Sequence, residues 1–143
     1  TLLASSAASD VYKRQLLNSI KGIGTINAMN TIIHTNNFQA FETARQYACY
    51  LGIAPFEHSS GTSIKGKTRV YPTGAKLLKA DLSQAANSAI VWDKEMKEYY
   101  ERKRKEGKAY GVVLNAVKFK LVGRMFAVVK RGTPFVELMT YKK

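Results

Sequence analysis

The sequence predicts a mostly α fold: a helix-hairpin-helix, then a basic loop or small hairpin, then a packed helical bundle. Three observations lead there. Apolar residues recur at three- and four-residue spacing along much of the chain, as in Leu78, Leu82, Ala85 and Ala89. Breakers fall in short clusters (Gly22 with Gly24, Asn36 with Asn37, Gly52 with Pro55, Pro72 with Gly74, Gly107, Gly132 with Pro134) that mark out pieces of helix length. The chain has 143 residues and is 45% hydrophobic, enough for one domain with a core of its own.

Residues 1–15 read as a non-native or disordered leader, because Thr1 to Gln15 looks like sequence that recurs at the ends of assembled reads. The alternative is a genuine leading helix capped by Ser9 or Asp10. Leu2 and Leu3 are too few for the apolar centre of a signal peptide. A helix-hairpin-helix is expected over about 16–35: one helix ending near Ile20, a turn at Gly22 and Gly24, and a second helix from Thr25 to Thr35. Ile26, Met29, Ile32 and Ile33 share one side of that second helix. Asn36 and Asn37 break it. A third helix is expected from Phe41 to Leu51, with Gly52 just past its end and Pro55 preventing continuation. Over about 53–74 the helical pattern vanishes. Ser63 to Val70 fits a small hairpin turning at Gly66, or an ordered loop.

Helices fill about 75–131. The first runs from Ala75 to Val91. A charged helix follows from Asp93 to Glu106, with favourable pairs expected between Glu98 and Arg102 and between Glu101 and Lys105. The last, from Tyr110 to Lys130, is the most hydrophobic, with Val113, Val117, Leu121, Phe126 and Val129 on a wide apolar face. Lys118, Lys120 and Arg124 interrupt it, so no run reaches the ~18 apolar residues of a membrane span. A core helix is expected, with those three cations joining Lys108, Lys130 and Arg131 along one exposed side.

Charge narrows the function. Lys and Arg number 23 against 10 Asp and Glu, a formal net charge of +13. Such a field concentrates polyanions, so nucleic acid is the first expected partner, held in large part through counterion release. A basic membrane-binding helix is the weaker alternative. One cysteine, Cys49, excludes an internal disulfide and fits a reducing cytoplasm. It reads as a small buried hydrophobe. Two histidines with one thiol do not make a structural zinc site, and the scattered carboxylates offer no set for two-metal catalysis.

Two motifs carry candidate chemistry. Ile20-Lys21-Gly22-Ile23-Gly24 lies between two amphipathic segments. Glycines at Gly22 and Gly24 let backbone approach a phosphate, and the following helix N-terminus favours an anion. An ordinary tight turn between packed helices has the same sequence. Ser60 precedes Gly61 and a basic tract of Lys65, Lys67, Arg69, Lys76 and Lys79, and no acidic residue falls between Ser59 and Ala80. A serine attacking a phosphodiester needs positive charge around the reacting group, which such a tract supplies. A serine before glycine is also a common turn residue, and no Gly-x-Ser-x-Gly surrounds it. The run from Lys94 to Lys108 is a solvated face or a track for a nucleic-acid backbone. Tyr99 and Tyr100 stack on a base or pack on the core.

Taken in order, Leu17-Asn18-Ser19-Ile20-Lys21-Gly22-Ile23-Gly24, Phe41 through Tyr50, Leu51-Gly52-Ile53-Ala54-Pro55, Ser60-Gly61 and Lys67-Thr68-Arg69 resemble the C-terminal domain of the IS-one-ten family of DEDD insertion-sequence transposases, the bridge-RNA-guided recombinases. The resemblance runs from about Leu16 to Phe135. It implies a transposase C-terminal domain over 16–140 whose serine nucleophile matches Ser60, forming a covalent phosphoserine with DNA. It implies contacts to DNA from Gly22, Gly24, Lys65, Lys67, Arg69 and Lys79. It also implies an N-terminal RuvC-like domain, absent from this sequence, whose acidic residues bind magnesium, so no cofactor is expected in this fragment. A guide RNA encoded by the element, and a homo-oligomer of full-length chains in a prokaryotic, nucleoid-associated setting, complete the implied partners; no membrane is among them. The chain departs from the family where Tyr71-Pro72-Thr73-Gly74 replaces a frequent Ser-Lys-x-Gly and where Lys79 replaces a frequent arginine, keeping charge and losing bidentate geometry. The alternative reading is a noncatalytic helix-hairpin-helix module that binds nucleic acid.

Overall fold

A computed structural model describes residues 2–53 and 73–136. Six helices are present in that part: α1 (Leu2–Asn18), α2 (Thr25–His34), α3 (Ala44–Leu51), α4 (Thr73–Trp92), α5 (Lys94–Lys105) and α6 (Tyr110–Arg131). The expected mostly α architecture is observed, and no strand occurs among the described residues. The Ser63–Val70 segment, expected as hairpin or loop, lies outside them.

The boundaries follow local chemistry. Ser9 and Asp10 lie inside α1 and do not cap it. The third helix starts at Ala44 instead of Phe41, because Thr43 accepts from the Gln46 amide while the Gln46 side chain reaches back to the Thr43 amide. This reciprocal pair holds two amides that helix geometry leaves without partners. At the other end Gly52 takes the left-handed conformation (φ 79°), and its amide and that of Ile53 return to Cys49 and Ala48. The Asn36–Asn37 break is observed, and Phe38 extends it: all three residues have positive φ. Asparagine tolerates that region; phenylalanine does so here because its amide donates to Thr35 Oγ1 and its ring packs edge-on against Phe126 at 5.0 Å.

The core forms around α6, which packs against α1, α3, α4 and α5, while α2 packs on α1 and α4. Leu17, Ile20, Tyr47, Leu82, Met96, Leu121 and Met125 are fully buried in it.

Three expectations are corrected. The apolar side of α2 points outward: Ile26, Met29 and Ile33 are exposed, and of the four apolar residues only Ile32 is buried. Asn27, Ala28 and Thr31 face inward instead. They can do so because their polar atoms are satisfied at short range. Asn27 Nδ2 donates to the Asp81 carbonyl at 3.0 Å, Thr31 Oγ1 to the Asn27 carbonyl, and Thr35 Oγ1 to the Thr31 carbonyl. Small side chains on this face suit its packing against α4, whose Ala85 and Ala89 stand against Gly22 at the turn that leads into α2. Cys49 is exposed, since Tyr47, Ala48 and Leu51 take the inward positions of α3. Among the described residues the local ion pairs of α5 and its C-cap are Lys94–Glu98 and Lys103–Glu106, in place of the expected Glu98–Arg102 and Glu101–Lys105. Arg102 lies over the Tyr99 ring.

Candidate functional site

Ser60, Lys65, Lys67 and Arg69 lie outside the described residues, and the two ends of their segment do not. One end leaves α3 through Gly52 and the buried Ile53. The other enters α4 at Thr73. Lys79 sits in the second turn of α4, exposed, and its Nζ comes within 3.7 Å of where a Cβ on Gly52 would stand. Among the sequence-selected cations, Lys79 is therefore brought to the C-terminus of α3, beside the point where the segment departs. A cation there complements the negative end of the helix dipole.

Gly22 and Gly24 lie at the α1–α2 turn and have different surroundings. Gly22 has φ 100° and faces α4; a Cβ on it would stand 2.7 Å from the Ala85 carbonyl oxygen and 3.2 Å from Ala89 Cβ. Its lack of a side chain is thus required by helix packing as well as by the turn. Gly24 is the N-cap of α2, in extended conformation, exposed, with nothing within 4 Å of a built Cβ. The first-turn amides of α2, like those of any helix, have no intrahelical acceptor, and no side chain caps them. That arrangement is chemically able to receive an anion.

The cations of α6 do not form one exposed side. Lys120, Lys130 and Arg131 are exposed, as is Lys108 just before the helix, and Lys120 Nζ stands 4.5 Å from the centre of the Tyr99 ring. Arg124 is turned inward: Nη1 donates to Asp93 Oδ2 at 2.9 Å and Nη2 to Glu95 Oε1 at 2.7 Å, while the guanidinium lies over Phe135. Lys118 is only 6% exposed. Burial, and then the charge of Lys79, lower its pKa from the usual lysine range. The sequence marked Lys118 only as a basic interruption of the helix. The signal that could have found it is its register, four residues after the buried Leu114 and four before the buried Val122.

Tyr99 is partly buried against the core and carries Arg102, Lys103 and Lys120 around its ring. Tyr100 packs edge-on against Tyr110. Of the two expectations for these tyrosines, packing within the fold is the one observed. No group of three or more His, Cys, Asp or Glu that could hold a metal occurs among the described residues. No helix among them is long and apolar enough to cross a membrane.

Comparison with known proteins places this geometry in a context. A family model described as transposase, IS116/IS110/IS902 family, matches residues 14–101. An uncharacterized 43.6 kDa protein of insertion element IS110 from Streptomyces coelicolor is 30% identical over 118 residues, covering 82% of this chain and 29% of that protein. Pilin gene-inverting proteins of Moraxella lacunata and Moraxella bovis are 27% and 26% identical over 126 residues, covering 87% of this chain and 39% of each relative. The chain therefore spans well under half the length of these relatives.

Proposed function

This chain belongs to the IS116/IS110/IS902 family of transposases, and from that premise we propose that it is the domain of an insertion-sequence recombinase that binds DNA and supplies Ser60 as the nucleophile of strand cleavage and exchange. The observation that supports this best is the placement of Lys79: a cation stands at the C-terminus of α3, where the chain departs toward Ser60. In the proposed step Ser60 Oγ forms a bond to phosphorus as the bond from phosphorus to the sugar oxygen breaks, leaving a phosphoserine and a free sugar hydroxyl. The phosphoryl oxygens gather charge as this happens, and Lys65, Lys67, Arg69 and Lys79 would offset it. The open N-terminus of α2 at Gly24 would hold the DNA backbone without reading its sequence.

The relatives' greater length leaves room for the RuvC-like domain and its magnesium. The described residues of this chain offer no cluster that fits such an ion, and no step above is routed through it. Guide RNA, assembly into oligomers and a prokaryotic cytoplasmic setting belong to the same proposal and rest on the family resemblance. Alone, this chain is expected to bind DNA and to recombine it little.

The test joins this chain to a matching RuvC-like domain with its guide RNA. Ser60→Ala should keep DNA binding and abolish strand exchange, and a suicide DNA substrate should become covalently attached to Ser60 in the unmodified protein. Exchange that survives Ser60→Ala would falsify the nucleophile assignment. A suicide substrate that never attaches would leave the noncatalytic nucleic-acid-binding module as the correct reading.

A further inference from the structure

Along the seam of α5 and α6, two cations of α6 meet different surroundings. Arg124 faces the start of α5 and is held by two carboxylates, Asp93 and Glu95. Lys120, four residues earlier, faces Tyr99 of α5, and its Nζ stands 4.5 Å from the ring centre. Two more cations converge on the same ring: the guanidinium carbon of Arg102 at 5.4 Å and Lys103 Nζ at 5.8 Å from that centre. Three charges therefore surround one partly buried ring. The ring's π electrons attract each of them, but they repel one another, and one tyrosine offsets that only in part. The nearby carboxylates are committed elsewhere or turned away. Glu98 pairs with Lys94, and Glu106 with Lys103. Glu101 is two residues from Tyr99, a spacing that puts it on another side of the helix. Among the described residues neither Arg102 nor Lys120 has a hydrogen bond or ion pair, and both are exposed. The helix dipole accounts for cations in the last turn of α5. It does not account for Lys120, which lies in the middle of α6.

We propose that Arg102 and Lys120, gathered around Tyr99 at the seam of α5 and α6, form a binding site for the phosphate backbone of a DNA duplex, with Tyr99 as the residue that positions them. Phosphate oxygens accept from both cations and cancel the repulsion that the ring only partly offsets. Arg102 presents a planar fork to two oxygens, and Lys120 a point charge. A lone phosphate ion would displace the hydration of two exposed cations for a single contact. A duplex brings neighbouring phosphates to Lys103, and to the exposed Lys108 that follows α5, in the same event. The contact fixes the position of the strand and reads no base. This deepens the function proposed above and rests on it for the identity of the polyanion as DNA; the site uses neither Ser60 nor Gly24.

The experiment measures binding of a fluorescein-labelled DNA duplex to the full chain by anisotropy across a salt series, with thermal melting of each variant as the control for folding. Lys120→Gln and Arg102→Gln should each bind about eightfold more weakly at about 0.1 M salt and reduce the slope of log K against log salt by about one, the share of one phosphate contact. Lys97→Gln removes the same charge from another side of α5, where Lys97 is exposed, and should weaken binding by less than about twofold. Tyr99→Leu removes no charge and should still weaken binding, because nothing then gathers the cations; Tyr99→Phe keeps the ring and should bind like the parent. Parental affinity and slope in both Lys120→Gln and Arg102→Gln overturn the proposal. So does a loss in Lys97→Gln as large as theirs, since net charge then explains all three. A Tyr99→Phe as weak as Tyr99→Leu overturns the positioning role. Lys120 and Arg102 are exposed, so their variants keep the test decisive even where Tyr99→Leu does not fold. An RNA hairpin with the same number of phosphates runs beside the duplex, and losses confined to the RNA overturn the assignment to DNA. Ser60→Ala should leave every reading unchanged. A parent that does not bind the duplex overturns the function proposed above together with this site; a parent that binds, with every variant matching it, overturns the site alone.

Discussion

Asp93 joins three parts of the molecule, and its removal has a calculable effect. It is the only residue between α4 and α5 and is 2% exposed. Oδ1 accepts from the Met96 amide at 3.0 Å, capping α5, and Oδ2 accepts from Arg124 Nη1 on α6 at 2.9 Å. Asp93→Ala removes both. Losing the cap costs about 1 kcal/mol. Breaking a buried ion pair by deleting one partner costs roughly 3–5 kcal/mol. Here that figure falls to about 2 kcal/mol, because Arg124 keeps Glu95, an exposed acceptor, at 2.7 Å. The sum is about 3 kcal/mol, equivalent to a drop of about 10 °C in Tm for a domain of this size. Asp93→Asn keeps the cap acceptor and should lose about 2 kcal/mol, the ion-pair share. Urea unfolding followed by circular dichroism at 222 nm measures both, and a double-mutant cycle with Arg124→Met isolates the pair at about 1–2 kcal/mol. A loss below about 1 kcal/mol in Asp93→Ala, or a coupling near zero, refutes the reasoning.

The two glycines of the α1–α2 turn should separate sharply. Gly22→Ala forces a side chain into φ 100° and against the Ala85 carbonyl, and should destabilise by about 2–5 kcal/mol. Gly24→Ala meets open space and should change stability by less than about 1 kcal/mol, both read by thermal melting. On α2, Ile26→Gln and Ile33→Gln should each stay within about 0.5 kcal/mol of the parent in chemical denaturation, because both side chains are exposed; a loss of 2 kcal/mol or more, the scale of a truncated core residue, would return that face to the core.

Sequence alone located α2, α4, α5 and α6 and pointed to a polyanion as the partner the charge suits, whereas the residues expected as a leader fall in α1. Periodicity and breakers act within a few residues, so α2, α4, α5 and α6 begin and end within two residues of expectation. The excess of cations is a property of composition and survives any fold. The start of α3 is also legible in sequence, since the spacing of Thr43 and Gln46 is that of a capping box. What tertiary structure decided is which side of each helix turns inward. A stripe of Ile26, Met29 and Ile33 identifies a helix face without naming its neighbour. The carbonyl of Asp81 on α4 drew in Asn27, and Ala28 and Thr31 turned inward with it. By the same means Arg124 found Asp93 from 31 residues away, Lys118 was buried, and Gly22 met Ala85. Each of these depends on a contact between distant positions, set by the joint packing of several helices, and no local spacing encodes it.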